Sequence, residues 1–159
     1  MQKHGLIKRS FIWILFCEAV GGLATLLTRK GLEAFDTLQK PALTPPHIVF
    51  PIAWSVLLAL MGIGFALVRD ADAEKHLQDR AELAFSVQLT FFFCWMIWFF
   101  GLGWFGFAAL WLCGMLAAIL AMIAAYRKIS KTAAWLQLLY LLWSCFALYL
   151  NIGVWMLNR

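Results

Sequence analysis

The chain has 159 residues, of which 64% are hydrophobic and only 13% charged, with a formal net charge of +5. Soluble domains sit near about 45–50% apolar and 25% charged, so a soluble domain is excluded: an interior of this size cannot bury that much apolar surface. Lipid is the expected solvent for most of the chain, and the positive balance calls for no nucleic-acid partner, because lysines and arginines at one membrane face account for it.

Apolar runs at residues 10–28, 48–68, 83–100, 104–126 and 133–157 each approach the roughly 20 residues that cross a bilayer as helix. Backbone polar groups in hydrocarbon must pair within the chain, and strand-like alternation is absent. The expectation is an all-α membrane protein, a five-transmembrane-helix bundle formed as one domain over residues 1–159, with an outer loop at 29–47.

The first span follows Lys3, Lys8 and Arg9, which resembles the basic front of a signal peptide. Its apolar run exceeds the usual core of roughly 7–15 residues and carries Glu18, so it is read as a retained helix. Glu18, Gly21, Gly22 and Thr25 share one helical face. A carboxyl group at the centre of a span costs at least ~2.5 kcal/mol. Glu18 is therefore expected to face the bundle interior or a polar cavity, either as a ligand or proton contact or as a protonated acid bonded to a neighbouring helix. Gly21 and Gly22 read as positions of close helix approach.

Residues 38–54, LQKPALTPPHIVFPIAW, hold all four prolines of the protein. Pro41, Pro45 and Pro46 stiffen an extended connection, since proline has no backbone donor and keeps its predecessor out of the helical region. Phe50, Pro51 and Trp54 fall in the first turns of the second span, where a missing N–H costs little. A rigid loop running into a tryptophan-bearing membrane helix predicts a lid over a pocket; the alternative for Trp54 is a headgroup anchor.

The segment RDADAEKHLQDR at 69–80 reads as a short solvated loop. In the third span Gln88, Phe92, Trp95 and Phe99 share a face, and an amide at that depth must point inward. The aromatic run 91–100 suits lipid, a second subunit or a flat ligand. Residues 101–103 predict a short turn that makes the third and fourth spans antiparallel neighbours. In the fourth span Gly114, Ala117, Ala118 and Ala121 predict close packing, including against a second copy. Leu120, Tyr126 and Lys128 fit the loose sterol-contact pattern.

In the fifth span Tyr140, Trp143, Ala147 and Asn151 recur on one narrow face. That face is either a wall for a flat amphipathic ligand, offering stacking surface and a few polar groups, or a packed seam in which Asn151 bonds a neighbour's backbone. Cys17, Cys94, Cys113 and Cys145 fall in four different spans, show no metal-ligand spacing, and read as packing residues. Nine of the 13 lysines and arginines belong to the N-terminus, the second loop and the fourth loop. The positive-inside rule then puts the N-terminus inside, and the proline loop and C-terminus outside.

The pattern Leu38-x-Lys40-Pro41-x-x-x-Pro45-Pro46-x-x-x-Phe50-Pro51-x-x-Trp54 resembles the first-loop signature of the TspO/translocator family, the tryptophan-rich sensory proteins. Gln88-Leu89, Trp95, Phe99-Phe100 and Tyr140-x-x-Trp143-x-x-x-Ala147-x-x-Leu150-Asn151 continue it across the chain. The resemblance implies a five-helix bundle in the cell membrane, as in bacterial members, often a homodimer, with a pocket closed by the first loop. It implies no obligatory cofactor. The implied ligands are porphyrins such as protoporphyrin IX and haem, sterols and synthetic isoquinoline carboxamides. The ligand-binding residues carried over are Pro41, Pro45, Pro46, Phe50, Pro51, Trp54, Gln88, Phe92, Trp95, Phe99, Tyr140, Trp143, Ala147 and Asn151. Five positions depart from the family pattern: Ala34-Phe35 replaces a Trp-Tyr pair, Phe92 an asparagine, and Ile97 and Leu139 prolines.

The leading expectation is a ligand-binding membrane protein that senses or carries a tetrapyrrole. An alternative is an enzyme for light- and oxygen-dependent porphyrin degradation working through Trp54 or Trp143, although no acid/base pair, metal cluster or nucleophile triad is visible. The third is a structural or regulatory partner with a vestigial pocket.

Overall fold

A computed structural model describes the backbone from residue 2, and side chains from residue 5, through residue 159. Helices α1 (Gln2–Leu27), α2 (Arg29–Ala34), α3 (Val49–Asp70), α4 (Lys75–Met96), α5 (Phe105–Arg127) and α6 (Lys131–Leu157) follow one another, and no strand occurs among the described residues. All but the short α2 are long and apolar enough to cross a membrane. The protein is an all-helical membrane protein with five spanning helices.

The helices run further than the apolar stretches. The polar segment at 69–80 is mostly helical, and only residues 71–74 form the connection between α3 and α4. Hydropathy marks the part of a helix that sits in hydrocarbon, whereas backbone hydrogen bonding continues into the solvated turns. There Arg69 Nη1 meets Glu82 Oε2 at 2.8 Å, and the Gln78 amide donates to the Ala71 carbonyl at 2.8 Å. The expected loop at 29–47 likewise contains α2 and a 3₁₀ turn at Phe35–Thr37.

Neighbours around the bundle run α1, α3, α6, α5, α4, with α4 returning to touch α1 and α3 more lightly. Helices α1 and α3 cross in close contact. A Cβ on Gly62 would lie 2.7 Å from the backbone of Trp13 and Ile14, so only a glycine lets these helices approach so closely. Gly114, expected to serve packing, accommodates Phe91 of α4 within the same chain.

The aromatic run at 91–100 is spent internally. Phe91 lies 4.7 Å from the Trp111 ring, while Trp98 stacks on Trp104 at 5.8 Å. The short turn expected at 101–103 is present: α4 continues as a π-helical segment, Ile97–Gly101, and Gly103 at φ 66° then reverses the chain into the antiparallel α5. At the α1–α3–α4 junction, Phe65 and Phe85 stack at 4.0 Å with the Trp13 edge against them, sealing the end away from the proline loop. The other end of that junction stays open.

Candidate functional site

The opening is a cavity of about 420 Å³ at the loop end, between α1, α3 and the last turns of α4. This is within the range of roughly 300–1,000 Å³ typical of small-molecule sites. Its α1 wall is Glu18, Gly21, Gly22 and Thr25; its α3 wall is Phe50, Pro51, Trp54, Ser55 and Leu58; Phe92, Met96 and Phe100 come from the α4 end. The roof is Leu32 and Phe35 with Asp36, Lys40, Thr44, Pro45 and His47 from the proline-bearing connection.

Two kinds of polar group meet this apolar space. Along the α1 and α3 walls, Ser55 Oγ donates to Glu18 Oε2 at 3.2 Å, while the Thr25 hydroxyl is spent on the Gly21 carbonyl at 2.9 Å. At the rim, Asp36 gathers two basic groups, Lys40 Nζ at 3.3 Å and His47 Nε2 at 3.6 Å. Lys40 also lies 4.9 Å over the Phe35 ring, a cation–π contact. Trp54 is 7% exposed, and its indole N–H is buried without a partner in the protein. A buried donor left unpaired is costly, so the Trp54 indole is suited to an acceptor on a guest.

Gly21 fits the close-approach reading and Gly22 departs from it. A Cβ on Gly21 would meet the Leu58 side chain at 2.5 Å, but around Gly22 nothing lies within 4 Å. Gly22 therefore enlarges the cavity rather than seating a helix.

The residues singled out from sequence divide into two groups. Pro45, Phe50, Pro51, Trp54 and Phe92 line the cavity together, with Trp54 and Phe92 rings 5.0 Å apart. Pro41, Pro46, Gln88, Trp95, Phe99, Tyr140, Trp143, Ala147 and Asn151 do not line it. Most of this second group closes on itself in the core. Gln88 bonds the Tyr140 hydroxyl, Trp95 Nε1 donates to Asn151 Oδ1 at 3.1 Å, and Asn151 Nδ2 donates to the Phe105 carbonyl at 2.8 Å. Polar groups deep in an apolar bundle cost free energy unless bonded; these bonds, which leave only Gln88 Oε1 of the Gln88–Tyr140 and Trp95–Asn151 groups unpaired, make the stripe a seam. Trp143 sits one layer back, with its ring 5.8 Å from Phe50. Phe99 packs between Phe35 and Phe105, and Pro46 is exposed at the surface.

Pro41 has a different task. Its ring fills the space beside Gly153 of α6, where a Cβ would come within 2.5 Å. Nearby, the Tyr149 hydroxyl donates to the Ala42 carbonyl at 2.8 Å, and Asn158 bonds Gln39 in both directions at 3.0 and 2.8 Å. These contacts fasten the roof to α6. Tyr149 and Asn158 carried no signal in the sequence, because a lone polar residue near a helix end looks like any solvated group. Glu18 and Gly22 were visible as a face, but not as part of the same wall as Trp54.

Comparison with known proteins agrees with this architecture. The TspO/MBR family matches residues 13–156. The chain is 32% identical over 148 residues to the tryptophan-rich protein TspO of Chlorobaculum tepidum, covering 89% of this chain and 90% of that protein. It is 34% identical over 144 residues to the translocator protein of Ovis aries, covering 87% and 83% respectively. It is also 32% identical over 148 residues to a tryptophan-rich sensory protein of Cereibacter sphaeroides, covering 92% and 91%. With the match spanning all five membrane helices, the chain belongs to the TspO/MBR family.

Proposed function

We propose that this protein binds a tetrapyrrole in the cavity under the proline loop, as a sensor or carrier in the membrane. The observation that carries the reading is the pairing of an aromatic wall, Trp54 with the Phe92 ring tilted 44° to it, with basic groups at the rim, Lys40 and His47. A porphyrin is flat and apolar across its ring and bears carboxylates on one edge. Its face would lie on Trp54, its carboxylates at Lys40 and His47, and the missing side chain at Gly22, with nothing within 4 Å of where a Cβ would be, leaves room for its thickness. Names among the relatives, translocator protein and tryptophan-rich sensory protein, support transport or sensing.

We assign the loop end to the outer face, because nine of 13 lysines and arginines belong to the other end. Labelling Leu43→Cys from outside intact cells with an impermeant thiol reagent tests this; protection of that cysteine while the cells stay intact overturns it.

Titration with protoporphyrin IX, read by quenching of tryptophan fluorescence, tests the ligand. Trp54→Ala should weaken binding about tenfold, the scale of one aromatic stacking contact of roughly 1.4 kcal/mol. Gly22→Leu should block binding while leaving the fold intact, since the new side chain enters the cavity and favours helix over glycine. Trp143→Ala should matter less than Trp54→Ala. Saturable binding that survives Gly22→Leu would exclude this cavity.

A further inference from the structure

At the end away from the proline loop, the α3–α4 and α5–α6 connections differ in charge. Around α3–α4 the cations stand among carboxylates: Arg69 meets Glu82 at 2.8 Å, Arg9 pairs with Asp70, and Asp72, Glu74 and Asp79 neighbour Lys75 and Arg80 in the chain. The α5–α6 connection carries Arg127, Lys128 and Lys131 with no carboxylate between them. Among the described residues, neither Arg127 nor Lys131 stands in an ion pair.

Both side chains line a groove of about 380 Å³ between α5 and α6, whose other walls are Ile123, Ala134, Trp135 and Leu138. Trp135 is 71% exposed one turn into α6, the depth at which indoles mark the headgroup layer. Lys131 opens α6, and the Ser130 cap accepts only from the Ala133 N–H, at 3.3 Å. The earlier N–H groups of that first turn therefore add partial positive charge at the same place.

We propose that this groove binds an anionic phospholipid, with its phosphate held between Arg127 and Lys131 and one acyl chain along Ile123, Ala134 and Leu138. Cations alone would be content with water, and an apolar groove alone would take any lipid tail. Their junction selects a molecule with an anionic head joined to a chain. From Lys131 to Leu138 the helix descends about 10 Å into hydrocarbon, a depth that fits the upper part of an acyl chain. Arginine offers phosphate a paired set of donors, and the lysine adds a point charge. Trp135 supplies an amphipathic edge at the level of the ester groups. A free phosphate would gain nothing from the apolar walls. The groove lies at the opposite end of the bundle from the tetrapyrrole cavity and does not depend on it.

The test uses the full-length protein in neutral detergent, with dioleoylphosphatidylglycerol, dioleoylphosphatidylcholine or inorganic phosphate added. Native mass spectrometry and the unfolding midpoint are the readouts. Phosphatidylglycerol should be retained and should raise the midpoint, with an affinity that falls as salt rises; phosphatidylcholine and inorganic phosphate should do neither. Each cation near the headgroup layer is worth on the order of a fivefold change. Arg127→Gln with Lys131→Gln should therefore weaken phosphatidylglycerol binding about thirtyfold, while Arg127→Lys with Lys131→Arg stays within a few-fold. Should the glutamine pair fail to fold, the charge-preserving pair and the salt dependence of the unaltered protein decide. Equal binding of phosphatidylcholine, equal stabilisation by inorganic phosphate, salt-insensitive binding, or undiminished binding by the glutamine pair each overturns the assignment.

Discussion

Asn158 and Gln39, 119 residues apart, hold each other in both directions: the Gln39 N–H donates to Asn158 Oδ1 at 3.0 Å, and Asn158 Nδ2 donates to the Gln39 carbonyl at 2.8 Å. One amide side chain thus mimics a strand partner and pins the roof of the cavity to the end of α6. Asn158→Ala removes both bonds where water can replace them, so the expected loss is about 1–2 kcal/mol. Hydrogen exchange at the Gln39 amide should speed up more than exchange in the core helices, and ligand association should quicken with it. Unchanged exchange at Gln39 would mean that Pro41 and Tyr149 hold the roof without this clasp.

The same roof contains a strained residue. Leu43 has φ 69° and is 79% exposed, a left-handed backbone with no side-chain packing to compensate. A left-handed conformation costs an L-residue roughly 1–2 kcal/mol, part of which glycine gives back in unfolded-state freedom. Leu43→Gly should stabilise the protein by about 0.5–1 kcal/mol, read as a rise in unfolding midpoint. A lower midpoint would show that the exposed leucine has a partner in the membrane.

Asn151 is the joint of the core seam, accepting from Trp95 and donating to the Phe105 carbonyl. Asn151→Ala leaves a buried indole N–H without a partner, at about 1–3 kcal/mol, and removes the side-chain donor from the part-buried Phe105 carbonyl. We expect a large fall in thermal stability with protoporphyrin affinity nearly unchanged in the protein that remains folded. A selective loss of affinity at constant stability would put Asn151 in contact with the ligand.

Gly62 sets the spacing of α1 on α3. A methyl group at this position would lie 2.7 Å from backbone atoms of Trp13 and Ile14, and no rotamer change relieves that clash. Gly62→Ala must push the helices apart, at a cost of roughly 1–3 kcal/mol, and Gly62→Leu should prevent assembly of the bundle. Because Glu18 and Ser55 face each other across the same helix pair, Gly62→Ala should also change ligand affinity. An alanine variant with full stability and affinity would rule out this crossing.

The number and order of the spans were legible because hydrocarbon imposes a length and an apolar composition on each helix. The lid was legible too, since prolines restrict backbone dihedrals whatever their surroundings. The helix ends were less so: residues 75–82 fold as the first turns of α4 although they are polar. Hydropathy is blind to a helix once it leaves lipid. The α6 stripe illustrates the same limit. Tyr140, Ala147 and Asn151 do share a face, but periodicity does not say whether a face meets a ligand or another helix.

Five membrane helices, an unmatched basic end, a proline-stiffened connection and a set of inward-facing polar and aromatic residues are all written in the chain itself. Each follows from local physics: transfer to lipid, dihedral restriction and helical periodicity. That Trp54 faces Glu18 and Gly22 across a cavity, while Trp95 and Asn151 close on each other, is a product of tertiary packing. So is the fastening of residues 38–54 by Asn158 and Tyr149 of the α6 end. These outcomes depend on which helices become neighbours and how closely they approach, and that is set by contacts such as Gly62 against Trp13, which no single segment encodes alone.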